Sequence, residues 1–124
     1  MKKSVEKEVK QLIEELELNC SIEEFKDKVD WDSISGHQKL SEELIREFKN
    51  YVWWIQISRN QKLSEDFIRE FKDELDWHWI SQCQKLSEDF IREFKNKVTW
   101  YWISECQILS EEFLEEFKYR CMEL

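Results

Sequence analysis

The chain has 124 residues, a formal net charge of -9, no proline and a single glycine. Charged residues make up 38% and aromatic residues 15% of the chain, whereas disordered segments combine high charge with few aromatics. The lack of proline and glycine argues against a turn-rich β-sandwich or barrel, and no uncharged run approaches the roughly 18 residues of a membrane span. The lysine-bearing N-terminus lacks the apolar core of a signal peptide. We therefore expect one acidic, cytoplasmic, helical domain that binds neither membranes nor nucleic acid directly.

A repeat of 23 residues runs through the chain. Phe-Lys pairs begin at Phe25, Phe48, Phe71, Phe94 and Phe117. Tryptophans keep the same spacing at Trp31, Trp54, Trp77 and Trp100, and so do Ile-Ser pairs at Ile34, Ile57, Ile80 and Ile103. The register predicts an N-terminal capping helix over residues 1–16, four two-helix units over 17–108 (units one to four) and a C-terminal half-repeat capping helix over 109–124.

The sequence of each unit predicts two short helices. The first begins at a serine N-cap, whose hydroxyl accepts a free backbone N–H, and two acids follow where the helix dipole favours negative charge; the caps are Ser41, Ser64, Ser87 and Ser110. The second begins at Asp30, Asp76 or Thr99, but the equivalent Trp53 cannot accept such a bond. The first four Phe-Lys pairs are each followed by a residue type that tolerates left-handed backbone, and we expect these residues to end the first helices; they are Asp27, Asn50, Asp73 and Asn96.

The start of the chain departs from this pattern. Ser4 is the expected cap of the N-terminal helix. Unit one offers two candidate caps, Asn19 and Ser21, of which Ser21 with Glu24 fits a capping box. At the ends of the array, Glu23 and Glu115 replace an arginine of the middle units, as expected for terminal units whose outer faces lack a neighbour.

Helices this short are marginally stable alone, so they must be stabilised by stacking on their neighbours. The sequence therefore predicts an all-α fold, a single-domain α-solenoid of about ten short helices. The strings LSEDFIREFK and WxWISxxQKLSE resemble a short helical repeat found in uncharacterised proteins of phages, giant viruses and some bacteria. The resemblance covers residues 17–124 and implies an α-repeat of viral or mobile-element origin, with no assigned chemistry.

The second helices carry a constant face and a varying face. In unit two the constant residues fall at helical spacings i, i+3, i+4 and i+7 and predict a buried stripe; they are Trp54, Ile57, Ser58 and Gln61. The opposite positions differ between units and include six residues that are costly to expose, which we call the variable face: Trp53, Ile55, His78, Trp79, Tyr101 and Trp102. Because tryptophan and tyrosine are frequent binding hot spots, we expect a protein partner to contact this face. The alternative is that its rings pack between adjacent repeats.

A second ladder, the acidic edge, consists of Glu42, Glu43, Glu65, Asp66, Glu88, Asp89, Glu111 and Glu112. One interpretation is mimicry of a nucleic-acid backbone, which would make the protein an anti-CRISPR protein or another nuclease inhibitor. The other is compensation of helix dipoles together with solubility.

Residue types that carry catalysis are poorly placed. The four cysteines, Cys20, Cys83, Cys106 and Cys121, form no zinc-finger spacing and are expected to be free thiols. Neither His37 nor His78 has a cysteine or serine partner at a predictive spacing, and Gly36 alone cannot build a phosphate loop. We expect no enzyme activity, no metal and no cofactor. The leading hypothesis is a non-enzymatic protein-binding module that is a monomer or associates weakly with itself.

Overall fold

The structure, a computed structural model, describes residues 1–122. Over this range the chain forms eleven helices and no strand: α1 (Lys3–Glu15), α2 (Phe25–Lys28), α3 (Trp31–His37), α4 (Glu42–Glu47), α5 (Trp54–Asn60), α6 (Glu65–Glu70), α7 (Trp77–Cys83), α8 (Glu88–Glu93), α9 (Trp100–Cys106), α10 (Glu111–Glu116) and α11 (Lys118–Met122). The second helices of consecutive units, α3, α5, α7 and α9, pack on one another in chain order. The predicted all-α solenoid is confirmed.

One apolar core runs along the stack. Both helices of a unit contribute fully buried side chains: Phe67, Phe90 and Phe113 from the first helices, with Leu44 at the same position in unit two, and Ile57, Ile80 and Ile103 from the second helices. Trp54, Trp77 and Trp100 each lie against two phenylalanines of the following unit; the ring centroid of Trp77, for example, lies 5.0 Å from that of Phe94. Trp31 lies against Phe48 of the following unit and Phe25 of its own. Trp31 is buried, but the other three constant tryptophans are half-buried at the margin of the core. Aromatic contacts therefore join each unit to the next.

Buried polar side chains make a second set of connections between units. The amide of Gln84 donates to the backbone oxygens of Ser58 and Gln61 and accepts from the N–H of Leu63. Gln61 and Gln107 bond in the same way one unit earlier and later. The buried hydroxyl of Ser58 accepts from the N–H of Asp76 in the next unit. The constant serines and glutamines are therefore bridges between repeats.

The predicted caps are largely present. The four serine hydroxyls accept the N–H three residues on, at 3.1–3.2 Å, and Asp30 and Asp76 cap the second helices. Trp53 makes no side-chain cap bond, as expected. Thr99 occupies the cap position of α9 without accepting a bond, so that prediction is wrong in its chemistry.

Two further sequence predictions are wrong. Ser4 lies inside α1, and its hydroxyl donates to Glu43 instead of capping the helix. The expected left-handed ends do not occur, because Glu17 is the one non-glycine residue with a positive φ in the described range. The first helices instead end in tight turns whose N–H groups reach back three residues, as from Glu74 to the oxygen of Phe71. The closing segment likewise breaks at Phe117, and α11 is the helix that the sequence did not predict.

The reciprocal bonds of the predicted capping box are present and should respond to pH, but they close a turn before α2, whose own N-cap position is Glu24 without a side-chain cap bond. The N–H of Ser21 donates to the carboxylate of Glu24 at 3.0 Å, and the N–H of Glu24 donates to the hydroxyl of Ser21. The first of these bonds is the main reason that the pKa of Glu24 lies below its ordinary value of 4.5. A lowered pKa means that the stabilisation is fully present above 4.5 and is lost as pH falls through the folded value.

We therefore expect the amide resonance of Ser21 to titrate with a midpoint below 4.5. An NMR titration of the amide resonances measures this midpoint, and Glu24→Gln should remove the transition. A midpoint at or above the ordinary value would show that the carboxylate gains nothing from the box.

Candidate partner-binding surface

The stack of second helices aligns the varying positions of successive units in rows. The outermost row consists of Asp32, Ile55, His78 and Tyr101, and all four side chains are exposed. Ile55 is 56% exposed and Tyr101 is 46% exposed. Single exposed apolar residues are ordinary, but here Ile55 and Tyr101 lie on α5 and α9, and α7, which carries the exposed His78, packs on both of these helices. The row is polar at unit one and apolar or aromatic from unit two to unit four.

The neighbouring row contains Trp79 and Trp102, which are half-buried. The indole Nε1 of Trp102 donates to His78 Nδ1 at 3.2 Å, and the two rings meet edge to face. The guanidinium of Arg59 lies 4.8 Å from the ring centroid of Trp79. Both tryptophans therefore pack across a boundary between units and hold the exposed rings of the outermost row in place. Trp79 and Trp102 therefore pack between repeats, as the alternative interpretation expected. The other members of the variable face, Trp53, Ile55, His78 and Tyr101, are exposed.

Trp53 is the most unusual member of the variable face. It is 55% exposed and stands at the N-cap of α5, where other units have aspartate or threonine. Its backbone N–H is satisfied by the hydroxyl of Ser35 in the preceding unit. Replacing a capping side chain with a non-capping one costs about 1 kcal/mol, so packing alone does not account for an exposed indole here.

The acidic edge is used mainly inside the molecule. The first acid of each pair in units two to four accepts both the N–H and the hydroxyl of the next unit's serine cap; the acids are Glu42, Glu65 and Glu88. The second acids Asp66 and Asp89 pair with Arg69 and Arg92 three residues on. Glu43 accepts from Ser4. The acids that do not bond to a serine cap are therefore the ones that the acidic edge exposes to solvent. They are Glu43, Asp66, Asp89, Glu111 and Glu112.

The arginines of the first helices complete the link between units. The Nε of Arg69 donates to Glu93 at 2.9 Å, and its guanidinium lies 5.2 Å from the ring centroid of Phe90. The glutamate side-chain hydrogen bond is the main reason that the pKa of Arg69 is raised. Arg46 and Arg92 repeat this arrangement. Replacement of this arginine by Glu23 and Glu115 accordingly falls at the two ends of the stack.

One row of surface residues was missed by the sequence analysis. It consists of Tyr51, Glu74, Lys97 and Arg120, each three residues after the phenylalanine that ends a first helix, at the same 23-residue spacing. Three of the four reach back to the preceding unit through a ring stack, an ion pair or hydrogen bonds. The signal available in the sequence was the change of chemical type along the row.

The cysteines show no arrangement that supports catalysis. Cys83 and Cys106 are exposed free thiols on adjacent second helices, and desolvation raises the pKa of Cys83. A raised thiol pKa leaves less of the nucleophilic thiolate at neutral pH.

Among residues 1–122, no three side chains of histidine, cysteine, aspartate or glutamate are grouped so that they could hold a metal ion. None of the described helices combines the length and apolarity that crossing a bilayer requires. Comparisons with protein-family models, with curated proteins and with solved structures find no match for this chain.

Proposed function

We propose that this protein is a non-enzymatic protein-binding α-repeat module, encoded by a phage or another mobile element and acting in the cytosol of its host. The observation that supports this proposal is the exposure of Trp53, Ile55 and Tyr101 on packed second helices. The resemblance of the repeat strings supports the mobile-element origin.

The chemistry of the variable face fits a protein partner. Large aromatic side chains supply contact area with little loss of conformational entropy, and a few such residues carry most of the energy of a typical interface. Trp102 contacts the ring of His78 in the preceding unit and that of Tyr101 beside it, and Trp79 contacts the ring of His78 beside it and the guanidinium of Arg59 in the preceding unit. A rigid surface is pre-organised for binding, because less side-chain freedom is lost on association.

The test is to substitute the exposed members and leave the half-buried tryptophans alone. The partner is first identified by affinity capture from the native host and mass spectrometry, and its affinity is then measured by calorimetry. We expect Ile55→Asp with Tyr101→Asp to weaken binding about 30-fold or more, since loss of a hot spot costs at least about 2 kcal/mol. Far-ultraviolet circular dichroism should be unchanged.

Tyr119→Asp is the matched control, because Tyr119 is a 73% exposed tyrosine on α11 and lies outside the variable face. This variant should bind the partner like the wild type. Equal affinity of the double variant and the wild type would refute a role for the variable face in binding.

The alternative proposal is a nuclease inhibitor that uses the acidic edge as a nucleic-acid mimic. The observation that favours it is the exposure of Asp66 and Asp89, whose side chains are 92% and 95% exposed. Binding through these groups would weaken steeply with salt, and Asp66→Asn with Asp89→Asn would reduce both the affinity and its salt dependence. Affinity that does not change with salt would exclude this mode of binding.

A further inference from the structure

A cleft opens on the surface where unit two meets unit three, which we call the open cleft. Its volume is about 380 Å³, and its walls are Lys49, Asn50, Trp54, Glu70, Phe71 and Glu74. Trp54 is half-buried, and its indole Nε1 donates to the backbone oxygen of Lys49 at 3.2 Å. The cleft therefore combines an aromatic wall with backbone, amide and carboxylate oxygens. None of the six residues of the variable face lines it.

The same chain contains a filled version of this cleft. Five of the six lining residues recur with identical types 46 residues later; they are Lys95, Asn96, Trp100, Glu116 and Phe117. The sixth position changes from Glu74 to Arg120. The guanidinium of Arg120 lies 5.6 Å from the ring centroid of Trp100. It donates to the backbone oxygen of Lys95 at 2.7 Å and to the side-chain oxygen of Asn96 at 3.3 Å.

At the other two boundaries the residue at this position contacts the preceding unit. Tyr51 stacks on Trp31 with ring centroids 5.9 Å apart, and the ammonium of Lys97 lies 3.7 Å from a carboxylate oxygen of Asp73. Glu74 forms no side-chain hydrogen bond or ion pair within the described part of the chain. The cleft between units two and three therefore has the same lining residues as the Arg120 cleft, except that Glu74 stands in place of the arginine.

We propose that the open cleft binds the guanidinium of an arginine side chain supplied by another molecule. The incoming group would take the place that Arg120 takes in the filled cleft, over the face of Trp54 and against the oxygens of Lys49 and Asn50. The carboxylate of Glu74 adds an ion pair that the filled cleft cannot offer. Cation–π contact and ion pairing act together at such a site.

Two features of the open cleft bear on selectivity. Lys49 lines the open cleft, but Lys95 occupies the equivalent place and its backbone oxygen accepts from Arg120, so a lysine at this position is compatible with a bound guanidinium. Arginine is favoured over lysine because a planar guanidinium can stack on an indole while donating to two separate acceptors. Glu70 already binds Arg46 at 2.8 Å, which leaves Glu74 as the acid for the incoming cation.

The test uses N-acetyl-L-arginine methylamide as the probe and its citrulline analogue as a neutral control of the same shape. Binding is followed by the ¹H–¹⁵N resonance of the Trp54 indole, assigned with Trp54→Phe, and the indoles of Trp77 and Trp100 are internal references. We expect a saturable shift of the Trp54 resonance with the arginine probe, and binding of the citrulline analogue at least about tenfold weaker.

Two variants separate the cleft from nonspecific binding. Glu74→Arg should fill the open cleft from within, as Arg120 does, and should abolish the shift while retaining the helical circular dichroism. Glu74→Gln should keep the cleft open and weaken the arginine probe about tenfold. Equal responses to arginine and citrulline, an unchanged response in Glu74→Arg, or no saturable shift in the wild type would each overturn the proposal. Because Ile55 and Tyr101 do not line the open cleft, a failed test of arginine binding says nothing about partner binding at the variable face. Equally, a failed test of the variable face says nothing about arginine binding in the cleft.

Discussion

Replacing Phe90 with alanine is expected to lower the free energy of unfolding by about 3–5 kcal/mol. Phe90 is fully buried, and its ring centroid lies 4.7 Å from that of Phe94 and 6.2 Å from that of Trp77 in the preceding unit. The guanidinium of Arg69 lies over its other side. Alanine would leave a cavity between two units and remove contacts to both, and urea unfolding followed by circular dichroism measures the loss.

The effect should be large because a solenoid has few alternative contacts. Each repeat is stabilised mainly by its nearest neighbours, and a whole domain is stable by only about 5–15 kcal/mol. A cavity at the boundary between units three and four therefore weakens the stack near its middle. We expect the alanine variant to unfold over a broader range of urea, since the two halves lose part of their coupling.

Phe90→Leu is the matched control, because the chain itself places leucine at this position in unit two. Leu44 is fully buried there, so the fold accommodates the smaller side chain. Leucine keeps four side-chain carbons where alanine keeps one, so Phe90→Leu should lower the free energy of unfolding clearly less than Phe90→Ala. A loss below about 1 kcal/mol in Phe90→Ala would contradict a continuous core through this boundary.

The parts of the fold that depend on local chemistry could be predicted from the sequence. The serine and aspartate caps, the Ser21–Glu24 capping box and the helix spacing of the apolar residues each involve residues within a few positions of one another. A repeat multiplies this local information, because the same pattern is read several times. The solenoid, and the inward face of its second helices, followed from that pattern.

Contacts between units could not be predicted in the same way. The partners of Gln84 lie 21 to 26 residues away, and they depend on how far each unit is displaced and rotated relative to the last. The repeat in the sequence showed that a glutamine recurs in every unit, but the hydrogen bonds of its side chain depend on how the units stack on one another. The same limit applies to Glu65, whose carboxylate bonds to Ser87 in the next unit where the sequence suggested a solvent-facing acid.

The candidate site shows the limit most clearly in its tryptophans. Sequence variation separated Trp79 and Trp102 from the constant tryptophans, and it grouped them with Ile55 and Tyr101. It could not distinguish the row that faces solvent from the row that packs against a neighbouring unit, because the two rows are adjacent in sequence. Similarly, the sequence contains both Glu74 and Arg120, but the open cleft becomes evident only when the residues around these two equivalent positions are compared in the structure.

Replacing Gln84 with leucine is expected to lower the free energy of unfolding by about 3–5 kcal/mol, although leucine is more apolar and Gln84 is only 5% exposed. The substitution leaves the N–H of Leu63 and the oxygens of Ser58 and Gln61 without their partner amide. Each buried polar group that loses its partner costs about 1–3 kcal/mol. The bonds also fix the distance between units three and two, so amide hydrogen exchange of Leu63 should accelerate together with the loss of stability.

Gln38→Leu provides the control, since it makes the same chemical change at the same register of unit one. No unit precedes it in the ladder, and within residues 1–122 its side-chain amide has no hydrogen-bond partner, although its backbone oxygen accepts from Gln61. A surface change of this kind stays within about 0.5 kcal/mol. If the two substitutions cost the same, the bonds between units contribute nothing measurable. If Gln84→Leu costs much more than Gln38→Leu, the constant glutamine stabilises the contact between repeats, because only Gln84 has a preceding unit to bond to.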